Sequence, residues 1–165
     1  MDSLFTLQYT CLLVFAMIML QLIVSRLYLT STTLQYEKSR LLLIATAIVL
    51  MTHYALQIKF KLRANDNNVG TVFNMLFYPI ASYFLACSII QIQSSRKTTR
   101  RYVIIGLLAC LAIVGVFGTG WFVTGSMALG YFRHIMFGIF AISMMYFIVS
   151  PTIILRRTTH RINDE

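Results

Sequence analysis

The chain has 165 residues, of which 58% are hydrophobic and only 12% are charged. A soluble domain of this size cannot hide so much apolar surface from water, so the composition predicts an integral membrane protein. The net charge of +9 comes mainly from basic residues between long apolar runs, which is typical of membrane topology signals rather than nucleic-acid binding.

Five apolar runs approach the length of about 20 residues that a helix needs to cross roughly 30 Å of hydrocarbon. In chain order, these spans cover residues 4–24, 41–58, 71–92, 102–123 and 129–155. The predicted fold class is therefore an all-α integral membrane bundle of five transmembrane helices. We assign residues 1–157 to this bundle and residues 158–165 to a cytoplasmic linker or tail.

The basic residues of the connections predict the orientation, because the inner segments of membrane proteins are enriched in Lys and Arg. With the amino terminus outside, most of the 14 basic residues fall on inner segments. These inner residues are Arg26, Lys38, Arg40, Arg96, Lys97, Arg100, Arg101, Arg156, Arg157 and Arg161. The sequence thus predicts an N-out, C-in protein of the bacterial inner membrane.

Two prolines lie inside predicted spans, Pro79 in the third and Pro151 in the fifth. Each removes a backbone hydrogen bond and crowds the carbonyl four residues earlier, so each is expected to bend its helix. Because Pro151 lies near the inner end of the last helix, we predict that it acts as a hinge.

Polar side chains recur in the predicted outer half of several spans. Polar groups at such depth are costly unless they are paired or wetted, so they are the natural candidates for a site. The predicted pocket residues are His53, Gln57, Asn74, Tyr78, Arg133 and His134, with Gln8 and Tyr9 of the first span at similar depth. The alternative is that these residues simply lie at helix ends and are satisfied by water, headgroups and one another.

We expect no cofactor and no metal. The alternative is a b-type haem, for which His53 and His134 would have to face each other across the bundle. The sequence offers no second histidine pair and no carboxylate inside a span. The acidic residues all lie at the ends or in connections, at Asp2, Glu37, Asp66, Asp164 and Glu165. We therefore predict neither an ion pump nor an enzyme, and no catalytic residue.

Two basic clusters lie at the predicted inner boundary, and we expect them to anchor the chain to anionic headgroups of the bilayer. The members of these clusters are Arg96, Lys97, Arg100, Arg101, Arg156 and Arg157. A further feature is a row of glycines in the fourth span, which allows close helix packing. This row, at Gly106, Gly115, Gly118 and Gly120, leaves open both packing within the bundle and a homodimer seam.

Three features define the layout of the predicted bundle. Its five helices contain no internal carboxylate, polar residues group in its outer half, and its last helix leaves the membrane at Arg156 and Arg157. It resembles the N-terminal membrane-embedded sensor regions of bacterial regulators, whose output part is a histidine kinase or an AraC-type helix-turn-helix domain. The resemblance extends over the whole chain and assigns no functional residue. It implies a sensory input domain whose last helix passes a ligand- or membrane-dependent change to a cytoplasmic output domain.

Two other functions remain open on the sequence. A small-solute transporter or permease-like subunit would show solute flux in proteoliposomes. A structural partner subunit of a membrane complex would co-purify with a stoichiometric partner and show no ligand response alone.

Overall fold

A computed structural model describes residues 3–25, 33–93 and 96–163 of the chain. These residues form six helices and no strand, so the all-α prediction is confirmed for this part. The helices are α1 (Ser3–Val24), α2 (Thr33–Phe60), α3 (Leu62–Asn65), α4 (Asn67–Gln93), α5 (Arg96–Thr124) and α6 (Phe132–Asn163).

Five of the described helices, all except the short α3, are long and apolar enough to cross a membrane. Each of the five contains or closely matches one predicted span, and several continue beyond it. Helix α2 begins at Thr33, eight residues before the apolar run, and α6 continues to Asn163 through most of the predicted tail. Hydropathy marks the stretch suited to hydrocarbon, whereas a helical backbone also continues through polar residues.

Helix α4 is the central element of the bundle. It packs against α2, α5 and α6, and it is the most buried of the five long helices. Helices α4, α5 and α6 contact one another, α2 joins them along α4, and α1 contacts α2 alone among the described helices. We call the end where α2 ends and α4 begins the Phe60 end, and the opposite end, where α4 ends and α5 begins, the basic end.

Two apolar clusters fill the space between α4, α5 and α6. The cluster towards the Phe60 end consists of Val72, Met75, Ile113, Leu129 and Met136. The cluster towards the basic end consists of Tyr83, Ala86, Cys87, Ile90, Tyr102, Cys110 and Phe147. Outside these clusters the surface is rich in exposed Leu, Ile, Val, Met and Phe side chains, as expected of a face that meets lipid.

The connection between α2 and α4 is tight, which places the two helices side by side in opposite directions. Lys61 adopts a left-handed backbone conformation with φ 49°, and the single turn of α3 follows it. Asp66 then caps α4, since its Oδ1 accepts a hydrogen bond of 2.8 Å from the backbone N–H of Asn68. This hairpin fixes which residues of α2 and α4 lie at the same depth.

Both prolines are buried within helices that continue past them. Pro151 cannot donate to the carbonyl of Phe147, so α6 lacks one backbone hydrogen bond at this point. The hinge role of Pro151 stays a prediction.

The glycines of α5 fall into two groups. A Cβ at Gly106 would overlap the ring of Tyr83, and one at Gly120 would lie 2.9 Å from the Cβ of Phe132. A Cβ added at Gly115 or Gly118 would have no neighbouring atom of the described residues within 4 Å, so these two glycines face away from the described helices. Packing within the bundle therefore explains Gly106 and Gly120 but not the other two.

This difference gives a matched pair of substitutions. We expect Gly106→Ala to destabilise the protein by about 1–3 kcal/mol, because the ring of Tyr83 is held by its hydrogen bond to the carbonyl of Val103 and cannot move away freely. Gly115→Ala should leave stability unchanged or slightly raise it. Unfolding of both variants in detergent, followed by circular dichroism, measures the difference, and equal stabilities would contradict the packing described for Gly106.

Candidate functional site

Four polar side chains meet where α1, α2 and α4 come together. Gln8 donates from Nε2 to Oε1 of Gln57 at 2.7 Å, and Gln57 donates from Nε2 to Oδ1 of Asn74 at 2.8 Å. His53 Nε2 lies 2.9 Å from Asn74 Oδ1 and 3.0 Å from Gln57 Nε2. The exposed fractions are 0% for His53, 3% for Gln57 and 4% for Gln8. We call these four residues the polar network.

Helix geometry explains why these residues meet. His53 and Gln57 are four residues apart and therefore occupy one face of α2. His53 lies seven residues before the end of α2, and Asn74 lies seven residues after the start of α4. At 1.5 Å per residue, both are about 10 Å from the Phe60 end, so the hairpin brings them together.

The polar network cannot satisfy all of its close contacts at once. His53 Nε2, Gln57 Nε2 and Asn74 Oδ1 form a triangle with sides of 2.8–3.0 Å. In a neutral network each corner is either a donor or an acceptor, so at least two corners are always of the same kind. The best solution lets Asn74 Oδ1 accept from both Gln57 and His53, because one carbonyl oxygen has two lone pairs.

In this arrangement two hydrogen-bond acceptors have no donor. His53 Nδ1 then carries a lone pair, and neither this nitrogen nor Oε1 of Gln8 has a hydrogen-bond partner among residues 3–25, 33–93 and 96–163. Both atoms are buried, and an unpaired buried polar atom costs about 1–3 kcal/mol. In this arrangement no described donor reaches these two atoms, so a donor group placed beside either of them would stabilise the network.

Aromatic rings surround the imidazole of His53. The ring centroids of Tyr54, Phe77 and Tyr78 lie 5.0, 5.4 and 5.0 Å from that of His53. The rings are inclined to the imidazole plane by 66°, 44° and 58°, so they pack against it at an angle rather than stack on it. Tyr78 thus contributes a wall of the site.

Helix α1 is held to α2 near both of its ends. Near the Phe60 end, Gln8 bonds to Gln57. Near the basic end, the guanidinium of Arg40 donates to the carbonyls of Leu22 and Ser25 at 3.3 and 3.0 Å, and it pairs with Glu37 at 2.6 Å. A cation suits a helix C-terminus, where backbone carbonyls lack partners.

The remaining two predicted pocket residues lie elsewhere. Arg133 donates to Oδ1 of Asn68 at the start of α4, six residues or about 9 Å along the helix from Asn74. His134 is exposed on α6 beside Tyr131. The structure thus brings His53, Gln57, Asn74 and Tyr78 together, and it does not bring Arg133 or His134 to them.

The two histidines named for the haem alternative are also apart. His53 is enclosed on α2 and His134 is exposed on α6, and in the described part of the chain these two helices do not pack against each other. Among residues 3–25, 33–93 and 96–163, no three His, Cys, Asp or Glu side chains are grouped as metal ligands.

Three of the predicted lipid-anchoring residues, Arg100, Arg101 and Arg156, are exposed at or near the basic end. The side chains of Arg96, Lys97 and Arg157 lie outside the described residues. The anchoring role itself stays a prediction.

Sequence reasoning does not single out three contributors to the site. It places Gln8 at the right depth, but helical spacing within α1 does not show which neighbour that helix meets. Tyr54 and Phe77 each stand next to a predicted pocket residue, and nothing in their spacing distinguishes them from ordinary apolar packing. The one signal in the sequence is that α1 carries few polar residues, and Gln8 is one of them. In the structure, Gln8 is the most buried of these polar residues.

Comparison of the chain with protein-family models, curated proteins and solved structures found no match.

The link between α1 and α2 gives a direct test of the polar network. In a double-mutant cycle of Gln8→Leu and Gln57→Leu, we expect a coupling free energy of about 0.6 kcal/mol, with an upper bound of about 1.7 kcal/mol, as measured for hydrogen bonds between membrane helices. Unfolding of the purified protein in mixed micelles gives the four stabilities.

Thr10 provides the control, because its hydroxyl bonds to the carbonyl of Thr6 in the same helix. A cycle of Thr10→Val with Gln57→Leu should give no coupling. A Gln8–Gln57 coupling equally close to zero would show that this hydrogen bond does not hold α1 in place.

Proposed function

We propose that the chain is a sensory input domain of a membrane-bound signalling protein. The observation that carries the proposal is the polar network, which is buried between three helices and left with unpaired acceptors. The two tautomers of His53 leave different contacts of this network unsatisfied, so the network has alternative hydrogen-bond arrangements. A ligand, lipid or membrane state that favours one arrangement then shifts the population of the whole bundle.

Helix α4 connects the polar network with α6. It contributes Asn74 to the network, and it meets α6 through Asn68 and Arg133 near the Phe60 end and through Tyr83 and Phe147 in the other half. The rings of Tyr83 and Phe147 have centroids 5.8 Å apart. A displacement of α4 at Asn74 therefore acts on α6 directly, and α6 is the helix proposed to lead to the cytoplasmic output domain.

Helix α1 is the element best suited to respond to the input. It contacts one neighbouring helix among the described elements, and most of its surface faces outwards. Hydrogen bonds near its two ends and the stacking of Phe15 on Tyr54, with ring centroids 6.0 Å apart, join it to α2. Because α1 packs against one described helix, it can change its position without disturbing the packing of α4, α5 and α6 against one another.

The proposal predicts that a change in the polar network alters the basic end of α6. We would place spin labels at Arg156→Cys on α6 and Arg100→Cys on α5, in a background in which the three native cysteines are alanine. Asn74→Leu removes the shared acceptor of the network, and we expect it to shift the distance distribution between the two labels. Double electron–electron resonance in lipid nanodiscs measures that distribution.

The matched control is Thr119→Val on α5, because the hydroxyl of Thr119 bonds only to carbonyls of its own helix, those of Gly115 and Val116. This variant should leave the distances unchanged. Gln8→Leu, which keeps the shared acceptor, serves as a second test variant if Asn74→Leu does not fold. Unchanged distances in folded variants of the network would refute transmission to α6.

We further propose that the five long helices cross the bacterial inner membrane with the amino terminus outside and the carboxyl terminus inside. Five apolar helices of this length suggest a multi-pass membrane protein, and the bias of the basic residues supports the direction.

Accessibility of single cysteines tests this orientation. In a cysteine-free background, Ser126→Cys lies in the exposed turn between α5 and α6, and Arg100→Cys lies near the basic end. We expect a membrane-impermeant maleimide added to spheroplasts to label position 126, and position 100 only after the membrane is permeabilised. The reverse pattern would establish the opposite topology.

A further inference from the structure

A groove lies between α4 and α6 in the half of the bundle near the basic end. It has a volume of about 220 Å³. The small side chain of Ala86 and the ring of Pro151 form its buried floor, while Leu85 and Ile148, exposed to 45% and 61%, form its walls. The groove therefore opens towards the surroundings of the bundle rather than into its core.

The lining of the groove is suited to hydrocarbon. Most of its residues are apolar, and one of its polar groups, the hydroxyl of Thr152, is already bonded to the carbonyl of Ile148 at 2.7 Å. Ser82 and Thr152 are the two polar side chains among the nine lining residues, so most of the lining can contact hydrocarbon.

The length of the groove along α6 can be compared with the thickness of one bilayer leaflet. Along α6 it extends from Phe147 to Leu155, eight residues or about 12 Å. The length of the groove approaches half of the roughly 30 Å hydrocarbon thickness, the depth of one leaflet.

A positive charge stands at the end of the groove. Arg156 is exposed and follows Thr152, a lining residue, by four positions, so it continues the same face of α6. Among the described residues, the carboxylate near this end of the bundle is that of Glu37. It forms an ion pair with Arg40, so it is already matched with another arginine than Arg156. Arg156 is thus placed to meet an anion at the level where lipid headgroups lie.

We infer that this groove binds one acyl chain of an anionic phospholipid, whose phosphate contacts Arg156. The inference does not depend on the proposed sensory function. It differs from general attraction of basic residues to the bilayer, because it specifies a single site with a defined chain position and a preference for anionic headgroups.

Native mass spectrometry of the purified chain tests the inference. We would titrate the protein in detergent with phosphatidylglycerol and, separately, with phosphatidylcholine of the same acyl chains. We expect one tightly retained phosphatidylglycerol per chain and weaker retention of phosphatidylcholine. Arg156→Gln should reduce the affinity for phosphatidylglycerol about fivefold, which corresponds to one basic residue near the membrane surface. Arg100→Gln, at an exposed arginine outside the groove, should leave it unchanged.

Filling the groove should remove the site for both lipids. We expect Ala86→Leu to lower the affinity about tenfold or more, because the larger side chain displaces several methylene groups of the acyl chain from the groove. Ala112→Leu makes the same chemical change at an exposed position of α5 and is the control.

Because Ala86 is buried, Ile148→Trp on the exposed wall provides a second variant that keeps the floor intact, with Ile142→Trp, at 73% exposure on the same helix, as its control. Lipid retention unaffected by Ala86→Leu or Ile148→Trp would overturn the groove as the site. Equal retention of the two lipids would overturn the role of Arg156. A loss of dimers rather than of lipid would show that a second copy of the chain occupies the groove.

Discussion

Polar side chains between apolar helices have to satisfy one another, and this constraint determines how α1, α2 and α4 are joined. Where α4 meets α5 and α6, apolar side chains fill the space, and many arrangements of such side chains would pack acceptably. Where α2 meets α4 and α1, hydrogen bonds specify the register, because a shift of one helical turn would leave Gln57 and Asn74 without partners. Apolar packing therefore holds α4, α5 and α6 together, whereas the polar network determines how α1, α2 and α4 are aligned.

The helices could be predicted from the sequence because hydropathy and helix length are local properties. Part of the site could be predicted as well, since His53 and Gln57 share a face of α2 and Asn74 lies at matching depth on the next long helix. Arg133 and His134 also lie near the Phe60 end, but depth alone does not bring side chains together. The order of helices around the bundle decides this, and among the described helices α6 packs against α4 and α5 but not against α2.

The glycines of α5 illustrate the same limit. Their spacing indicates close packing but contains no information about the partner. Gly106 is required by the ring of Tyr83, a residue more than twenty positions earlier on another helix, whereas Gly115 faces away from the bundle. The difference arises from tertiary contacts, so no reading of α5 by itself could separate the two.

The contact of α1 with a single helix implies an order of assembly. As the chain is made from its amino end, α1 finds its only helical neighbour among the described elements once α2 follows it. Gln8 and Gln57 can pair at that moment, but His53 and Gln57 lack their common acceptor until α4 arrives with Asn74. The interface of the first two helices is therefore complete only when the third long helix supplies Asn74 to the polar network.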